Sequence, residues 1–230
     1  MTPPTAISER RTTVDDVFDF LHEEIVTLRL KPGDRISEAD IAARFNVSRQ
    51  PVRDAFSRLA NLDLLLIRPQ RATEVRRFSM REIEKSRFVR ASIEKEVLRR
   101  AAEYCDADGA RLLDTEIANQ QEAVMAKDIE AFGRFDYDFH KALCAIARAD
   151  FAFDVILAEK GKIDRLCMLG IEKEQRMPDL VADHIEIAEA VKAHDAEAAI
   201  EAGVKHLSRL DETIKRISAT NANYFQRNDH

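Results

Sequence analysis

The sequence predicts a mainly α protein in two parts. The first is an N-terminal winged helix-turn-helix with a small β-hairpin wing, and the second is a C-terminal all-helical bundle of about six or seven helices. Three observations predict it: a turn followed by a cationic helix at residues 46–59, two short β-type runs around an Arg-Pro turn, and helical periodicity without any strand pattern from Ser79 onward. The expected division is a flexible arm at 1–12, a winged helix-turn-helix at 13–78, a helical domain at 79–218 that is also the dimerisation candidate, and a frayed tail at 219–230.

In the first part, Val17, Phe20, Leu21, Ile25 and Leu28 recur at helical spacing and predict a helix from about Val14 to Leu30. Lys31-Pro32-Gly33-Asp34 has turn composition. Ser37 opens a second helix with Asp40 three residues on, an approximate capping box, and Ile41, Ala42 and Phe45 form its inner face. Asn46 falls in the following turn, where a left-handed backbone is tolerated best by Gly and Asn. Ser48 is the expected N-cap of a third helix to about Asn61, its hydroxyl accepting from an orphan N–H, and Pro51 falls in the first turn, where its missing N–H costs nothing. Arg49 and Arg53, four apart, share an exposed face near the start of this helix. That is how a recognition helix presents guanidinium forks to a major groove. Leu64–Ile67 and Thr73–Arg76, joined through Arg68-Pro69-Gln70-Arg71-Ala72, read as the two strands of a wing.

In the second part, Ser79 with Glu82 makes a capping box for a helix running to about Tyr104. Breaks near 106–109, 127–128, 149–150, Met177-Pro178 and 194–195 divide the remainder into about six helices.

A chain of 230 residues, 45% apolar and 34% charged, with few Gly and Pro, can bury a proper core and does not have the composition of a disordered protein. No apolar run approaches a membrane span, and the N-terminus lacks a secretory h-region, so a cytoplasmic protein without membrane contact is expected. Cys105, Cys144 and Cys167 form no CxxC pair and suit buried thiols in a reducing compartment. The net charge of −6 opposes nucleic-acid binding until it is divided. Residues 1–78 hold 13 Lys+Arg against 12 Asp+Glu, and the remainder 23 against 30. Within 44–77 there are eight Arg against three acids, so positive charge is concentrated where phosphate contacts would need it.

A second constellation lies in the helical part. The stripe Ile129, Phe132, Asp136, Phe139, Leu143, Ile146 places a carboxylate in an apolar face, with His140 four residues on and beside it. An unpaired carboxylate there would cost several kcal/mol, roughly, so a cation or good hydrogen bonds must meet it. His184 interrupts the stripe Leu180, Ile187, Val191, and His206 stands at the edge of Ile200, Gly203, Leu207, Leu210, Ile214, Ile217. Each alone would more often be a hydrogen-bonded core group. Together, from three helices, three imidazoles and a carboxylate suit one divalent metal per chain, zinc, nickel or manganese, with positions left open for water or an anion. His22, His194 and His230 have no such context and read as surface residues.

The N-terminal part resembles the winged helix-turn-helix of GntR-type bacterial transcription regulators. The resemblance is carried by Leu30–Glu38, by Ile41–Ala55 with its SRxPVR core, and by the wing to Val75. The C-terminal part is similar to the FCD-type ligand-binding domain of the FadR subfamily, through Val89-Arg90, Ile93-Glu94, Phe135–His140, His184 and His206-Leu207. The resemblance implies a homodimer binding a near-palindromic operator on double-stranded DNA, with a small carboxylate effector near the metal shifting its affinity. Asp136, His140, His184 and His206 would hold that metal, and Arg49 and Arg53 would touch bases or adjacent phosphates. Arg44, Ser48, Gln50 and Arg71 complete the expected DNA-contacting set. Arg90 is the candidate anchor for the effector carboxylate, its alternative role being a salt bridge with Glu94 or another acid. Three positions depart from the family pattern: Ala72 at the wing tip in place of Gly, Ala39 in place of an Arg early in the second helix, and Arg148-Ala149-Asp150 in place of a Gly-Asn segment.

The function expected is a metabolite-responsive transcription regulator, a repressor rather than an enzyme. The alternatives are a metal-dependent hydrolase or lyase and a regulator that senses the metal itself. Against the enzyme, no evident nucleophile or second general base accompanies the four donors.

Overall fold

The computed structural model describes residues 12–167 and 173–226, and among these its contacts divide the chain into two compact units. One consists of the chain up to Phe78 together with the segment from Asn223; the other spans Ser79–Ala222.

The first unit begins with α1 (Thr13–Val26), capped by a reciprocal box between Thr12 and Asp15. It is shorter than the periodicity suggests, because the chain turns at Thr27 and Leu28 takes a left-handed φ of 61°. Strand β1 (Arg35–Ile36) follows, then α2 (Glu38–Phe45), whose first N–H groups bond to the Ser37 hydroxyl. Asn46 closes α2 in the left-handed conformation, φ 53° and ψ 48°, as its residue type predicts. Helix α3 (Arg49–Asn61) buries Val52, Ala55, Phe56 and Leu59 against Val17, Leu21 and Ile25 of α1. The wing strands are β2 (Leu65–Leu66) and β3 (Thr73–Val75).

The sheet holds a strand that the sequence reading missed. Its order is β1-β3-β2, all antiparallel, with Ile36 opposite Thr73 and Leu65 opposite Val75. Gly33 makes the approach to it possible: its φ is 93°, its N–H donates to the Val75 carbonyl at 2.8 Å, and a Cβ would lie 2.5 Å from the Arg77 guanidinium.

The helical unit contains α4 (Met80–Tyr104), α5 (Ala107–Ala126), α6 (Ile129–Ile146), α7 (Asp150–Cys167), α8 (Lys173–Lys192) and α9 (Ala196–Thr220). Asp106, Asp128 and Asp195 cap α5, α6 and α9 through their carboxylates, and Ser79 caps α4. The expected break at Met177-Pro178 is not present, because Pro178 lies inside α8. The core of this unit is built from Val97, Leu98, Phe139, Leu143, Ile156, Ile187 and Val191, drawn from four helices.

The tail corrects another expectation. Helix α9 continues to Thr220, a short 3-10 turn covers Ala222–Tyr224, and Phe225 is buried. The Phe78 N–H donates to the Tyr224 carbonyl at 2.9 Å, the Gln226 N–H donates to the Phe78 carbonyl at 2.7 Å, and the two phenyl rings lie 5.6 Å apart. Two backbone bonds and an aromatic contact outweigh the polar composition that suggests fraying. Most of the predicted arm, and residues 227–230, lie outside the described residues.

Candidate nucleic-acid interface and metal centre

In the first unit, the start of α3 is an exposed surface. Ser48, Arg49, Gln50 and Arg53 are all exposed, as are Arg44 at the end of α2 and Arg71 at the wing tip. Ser48 occupies the N-cap position with φ −70° and ψ 168°, but its side chain makes no capping bond, contrary to the sequence expectation. Its hydroxyl is therefore not committed to the helix. Gln50 donates to Asp54 at 3.0 Å, and the Arg53 Nε donates to Glu38 on α2 at 2.8 Å. The Arg44 guanidinium lies 4.1 Å above the Phe20 ring. Arg49 and Arg71 form no ion pair among the described residues. At the wing tip the left-handed residue is Gln70, with φ 58°, so Ala72 is not asked to adopt a glycine conformation.

In the helical unit, every helix contributes to one polar cluster. Asp136 and His140 come from α6, His184 from α8 and His206 from α9, and all four are buried. The three imidazoles offer nitrogens within 4.8 Å of one another, with Nε2 of His184 and His206 3.4 Å apart and Asp136 Oδ1 3.7 Å from His184 Nε2. Phe139 stacks on the His184 ring, with centroids 4.4 Å apart and planes 20° from parallel, and fixes its orientation from the apolar side.

Each ring turns its other nitrogen to an oxygen. His184 Nδ1 lies 2.7 Å from Gln120 Oε1 on α5, whose amide NH2 donates to the Phe135 carbonyl at 3.3 Å. Gln120 is thereby oriented, and its oxygen can only accept, so Nδ1 carries the proton. His140 Nδ1 faces Glu94 Oε2 on α4 at 3.7 Å, and His206 Nδ1 faces Asp183 Oδ2 on α8 at 3.6 Å. Those two separations are longer than good hydrogen bonds, yet a carboxylate opposite Nδ1 favours a proton on that atom. The Nε2 lone pairs then face the common centre. Burial holds His140 well below its ordinary value of 6.5 and lowers His184 to about 3, so both rings are neutral near pH 7. Asp136 is desolvated, but Lys160 and the neighbouring imidazoles hold its carboxyl well below the usual carboxylate range.

Imidazole nitrogens converging beside a carboxylate, with an oxygen of Gln120, Glu94 or Asp183 opposite each Nδ1, could serve as the donor set and outer layer of a divalent metal site. The residues present fit such an ion.

Glu94 was marked in the sequence only as a possible partner of Arg90, and Gln120 and Asp183 were not singled out; both are fully buried polar groups, but burial is not legible from spacing alone. Lys160 of α7 was also missed. Its ammonium pairs with Asp136 and lies 3.9 Å above the Tyr137 ring. Arg90 makes the Glu94 pair that its sequence context offered and also borders a cavity. It is buried, its Nε donates to Glu94 at 2.9 Å, and it lines a cavity of about 180 Å³ between α4 and α9 with Arg87, Lys95, Leu207 and Leu210. His194 is exposed and bonds to the Ala102 carbonyl at 2.8 Å. Cys144 lies in the core, where burial pushes its thiol up to about 12, as expected of a buried thiol.

The chain matches two protein families: residues 13–75 match the bacterial regulatory proteins of the gntR family, and residues 86–209 match the FCD domain. It is 32% identical over 225 residues to the HTH-type transcriptional repressor RspR of Escherichia coli strain K12, covering 98% of this chain and 99% of that protein. It is 27% identical to a probable D-xylose utilization operon transcriptional repressor of Paenarthrobacter nicotinovorans, over 86% of this chain and 87% of that one. Among solved structures, E. coli McbR/YncC superposes with a TM-score of 0.66 at 18% identity, covering 90% of this chain and 99% of that chain. A GntR regulator from Rhodococcus sp. RHA1 gives the same score at 22% identity, over 88% and 97%. These two likenesses establish the fold. No helix among the described residues is long and apolar enough to cross a membrane.

Proposed function

The chain belongs to the GntR family of bacterial regulatory proteins, with an FCD domain as its helical unit, and from that membership we propose how its two units divide the work. It is a DNA-binding transcription regulator and not an enzyme. In our reading it binds a palindromic operator as a homodimer and acts as a repressor. A small carboxylate metabolite, bound beside a divalent metal in the helical unit, changes its affinity for DNA.

The observation that carries the reading is the convergence of three buried imidazoles, with the Asp136 carboxylate beside His184, Gln120 at hydrogen-bond distance from His184 Nδ1, and a carboxylate opposite Nδ1 of each of the other two rings. Asp136, His140, His184 and His206 would hold the metal, which supplies positive charge and open coordination positions to a carboxylate. The chain's own residues keep the His140 and His184 rings neutral by burial and set the direction of the His184 ring through Gln120 and Phe139. On the DNA side, Arg49 and Arg53 enter the major groove, with Ser48 and Gln50 beside them and Arg44 and Arg71 at the flanking phosphates. Arg53 leaves an exposed pair with Glu38, which costs about 1 kcal/mol or less. Effector binding acts as a population shift, favouring the dimer state in which the recognition helices do or do not match half-sites about one DNA turn apart.

Selection of binding sites from random duplexes tests the DNA half. Enriched sites should be palindromic, and Arg49→Ala or Arg53→Ala should weaken binding about 10- to 100-fold while leaving the thermal midpoint nearly unchanged. A large loss of stability in both variants would assign these residues structural roles. For the metal half, elemental analysis should find about one divalent ion per chain, lost in His184→Ala. If operator affinity follows metal concentration with no organic ligand present, the chain is a metal sensor instead.

A further inference from the structure

The polar groups around the imidazole cluster form neutral pairs. Glu94, which orients His140, is paired with Arg90 at 2.9 Å. Asp183, which faces His206, is paired with Arg209. Gln120 carries no charge. Asp136, the carboxylate of the donor set, is paired with Lys160, whose side chain is only 15% exposed. An imidazole that binds a metal does so as a neutral ring and brings no charge of its own. The site therefore has no net charge to offer a metal ion: its one coordinating carboxylate is already matched by an ammonium.

A divalent ion entering this set adds two positive charges, and the one carboxylate of the donor set is already matched by Lys160. Buried charge left uncompensated is costly, so metal binding is weak until anionic charge accompanies it. Lys160 decides how much. Without it, Asp136 would leave a single excess positive charge for a ligand to meet. With it, the excess is two.

Resting on the metal reading above, we propose that Lys160 makes the site selective for a dianionic ligand, a small dicarboxylate, over a monocarboxylate. In the metal-free protein its ammonium serves Asp136. In the loaded protein, where Asp136 also faces the metal, the same ammonium is the second cation that a carboxylate of the ligand meets. Its stem rises from α7, and the Tyr137 ring beneath Nζ holds it at the edge of the cluster rather than in bulk water. Lys160 is thus a specificity-determining residue, and metal and dianion bind cooperatively through it.

The full chain, nickel, succinate as dianion and acetate as monoanion test this. Nickel affinity is measured by competition with a chelating dye, and the thermal midpoint of the loaded protein is measured in each anion at equal ionic strength. In the wild type, succinate should raise nickel affinity by about 5-fold or more, within the usual range of couplings, and acetate by much less. Lys160→Met should bind nickel more tightly in the absence of added anion and lose the preference for succinate, while Lys160→Arg should keep it. Equal effects of succinate and acetate on the wild type overturn the proposal, whatever the variants do. A Lys160→Met protein that keeps the wild-type preference overturns it equally. If the wild type binds no nickel under any condition, the metal reading itself fails, and that outcome is distinct from both. Should Lys160→Met fold only when loaded, the anion preference is read from the loaded midpoints alone.

Discussion

Acidification should weaken the metal-free helical unit well before any carboxylate is protonated. His140 and His184 are buried and neutral, the first held well below 6.5 and the second at about 3, whereas both take their ordinary value of 6.5 in the unfolded chain. Above 6.5 neither state binds the protons and the two groups are neutral in the balance. Below it the unfolded chain binds them and the folded protein does not, so stability falls as pH falls. The slope is about 1.4 kcal/mol per pH unit for each group, roughly 3 kcal/mol for the pair once both are protonated in the unfolded chain. Between about pH 7 and about pH 5.5 the loss integrates to roughly 2–3 kcal/mol, a large share of a typical domain's stability. Asp136 and Asp183 act in another window: both are depressed, so their contribution is lost only as pH falls below about 4. The assay is urea unfolding in chelator, followed by far-ultraviolet circular dichroism, at the two pH values. A lower midpoint at the acid value is expected, and the double variant His140→Asn/His184→Asn should show a much smaller difference. An unchanged wild-type midpoint would refute the claim that these rings are neutral and shielded from water.

Two packing predictions concern other parts of the chain. A methyl group at Gly203 would overlap Leu98 Cδ1, and Leu98 is only 4% exposed in a packed core, so it cannot move aside cheaply. Gly203→Ala should lower the thermal midpoint, because overpacking costs about 1–3 kcal/mol against about 1 kcal/mol gained in helix propensity. Adding Leu98→Val should recover part of the loss, and a raised midpoint in the single variant would contradict the packing. Phe225→Ala removes a ring that is 8% exposed and packed on Phe78, at a cost of about 3 kcal/mol. Hydrogen exchange should show the Phe78 amide losing protection in that variant, and unaltered protection would mean that the tail does not hold the segment.

The fold was most legible where a local rule decides it. Asn46 in a left-handed turn, Ser37 and Ser79 at helix starts, and the stripe Phe132–Asp136–Phe139–Leu143 all follow from residue type and spacing, and each has its counterpart in the structure. Strand β1 did not show, because Arg35–Ile36 is two residues long and carries no alternation; it exists through its pairing with Glu74 and Thr73. Pro178 misled for the opposite reason. A proline usually ends a helix, but here it sits early in α8 and the helix passes through it. Ser48 stands at its N-cap without the expected bond, so position and hydrogen bond are separate claims. At the cluster, Asp136 and His184 interrupt apolar stripes, His140 and His206 lie beside them, and all four can be found by period. Glu94, Gln120 and Lys160 cannot, because what places them at the site is the packing of α4, α5 and α7 around α6 and α8, a tertiary fact that no single helix records.

The pairing of Phe78 with Phe225 also bears on the order in which the chain can fold. The hydrogen-bonding partner of Phe78 is synthesised only after all six helices of the other unit. During synthesis, α1 to β3 can collapse early around Val17, Leu21, Phe56 and Leu59, with Phe78 still uncovered. The last contact of the DNA-binding unit is therefore made by a segment that arrives once the helical bundle has been translated. A fragment ending near residue 78 would contain the three α-helices described in that unit and still lack the residue that covers its final phenylalanine.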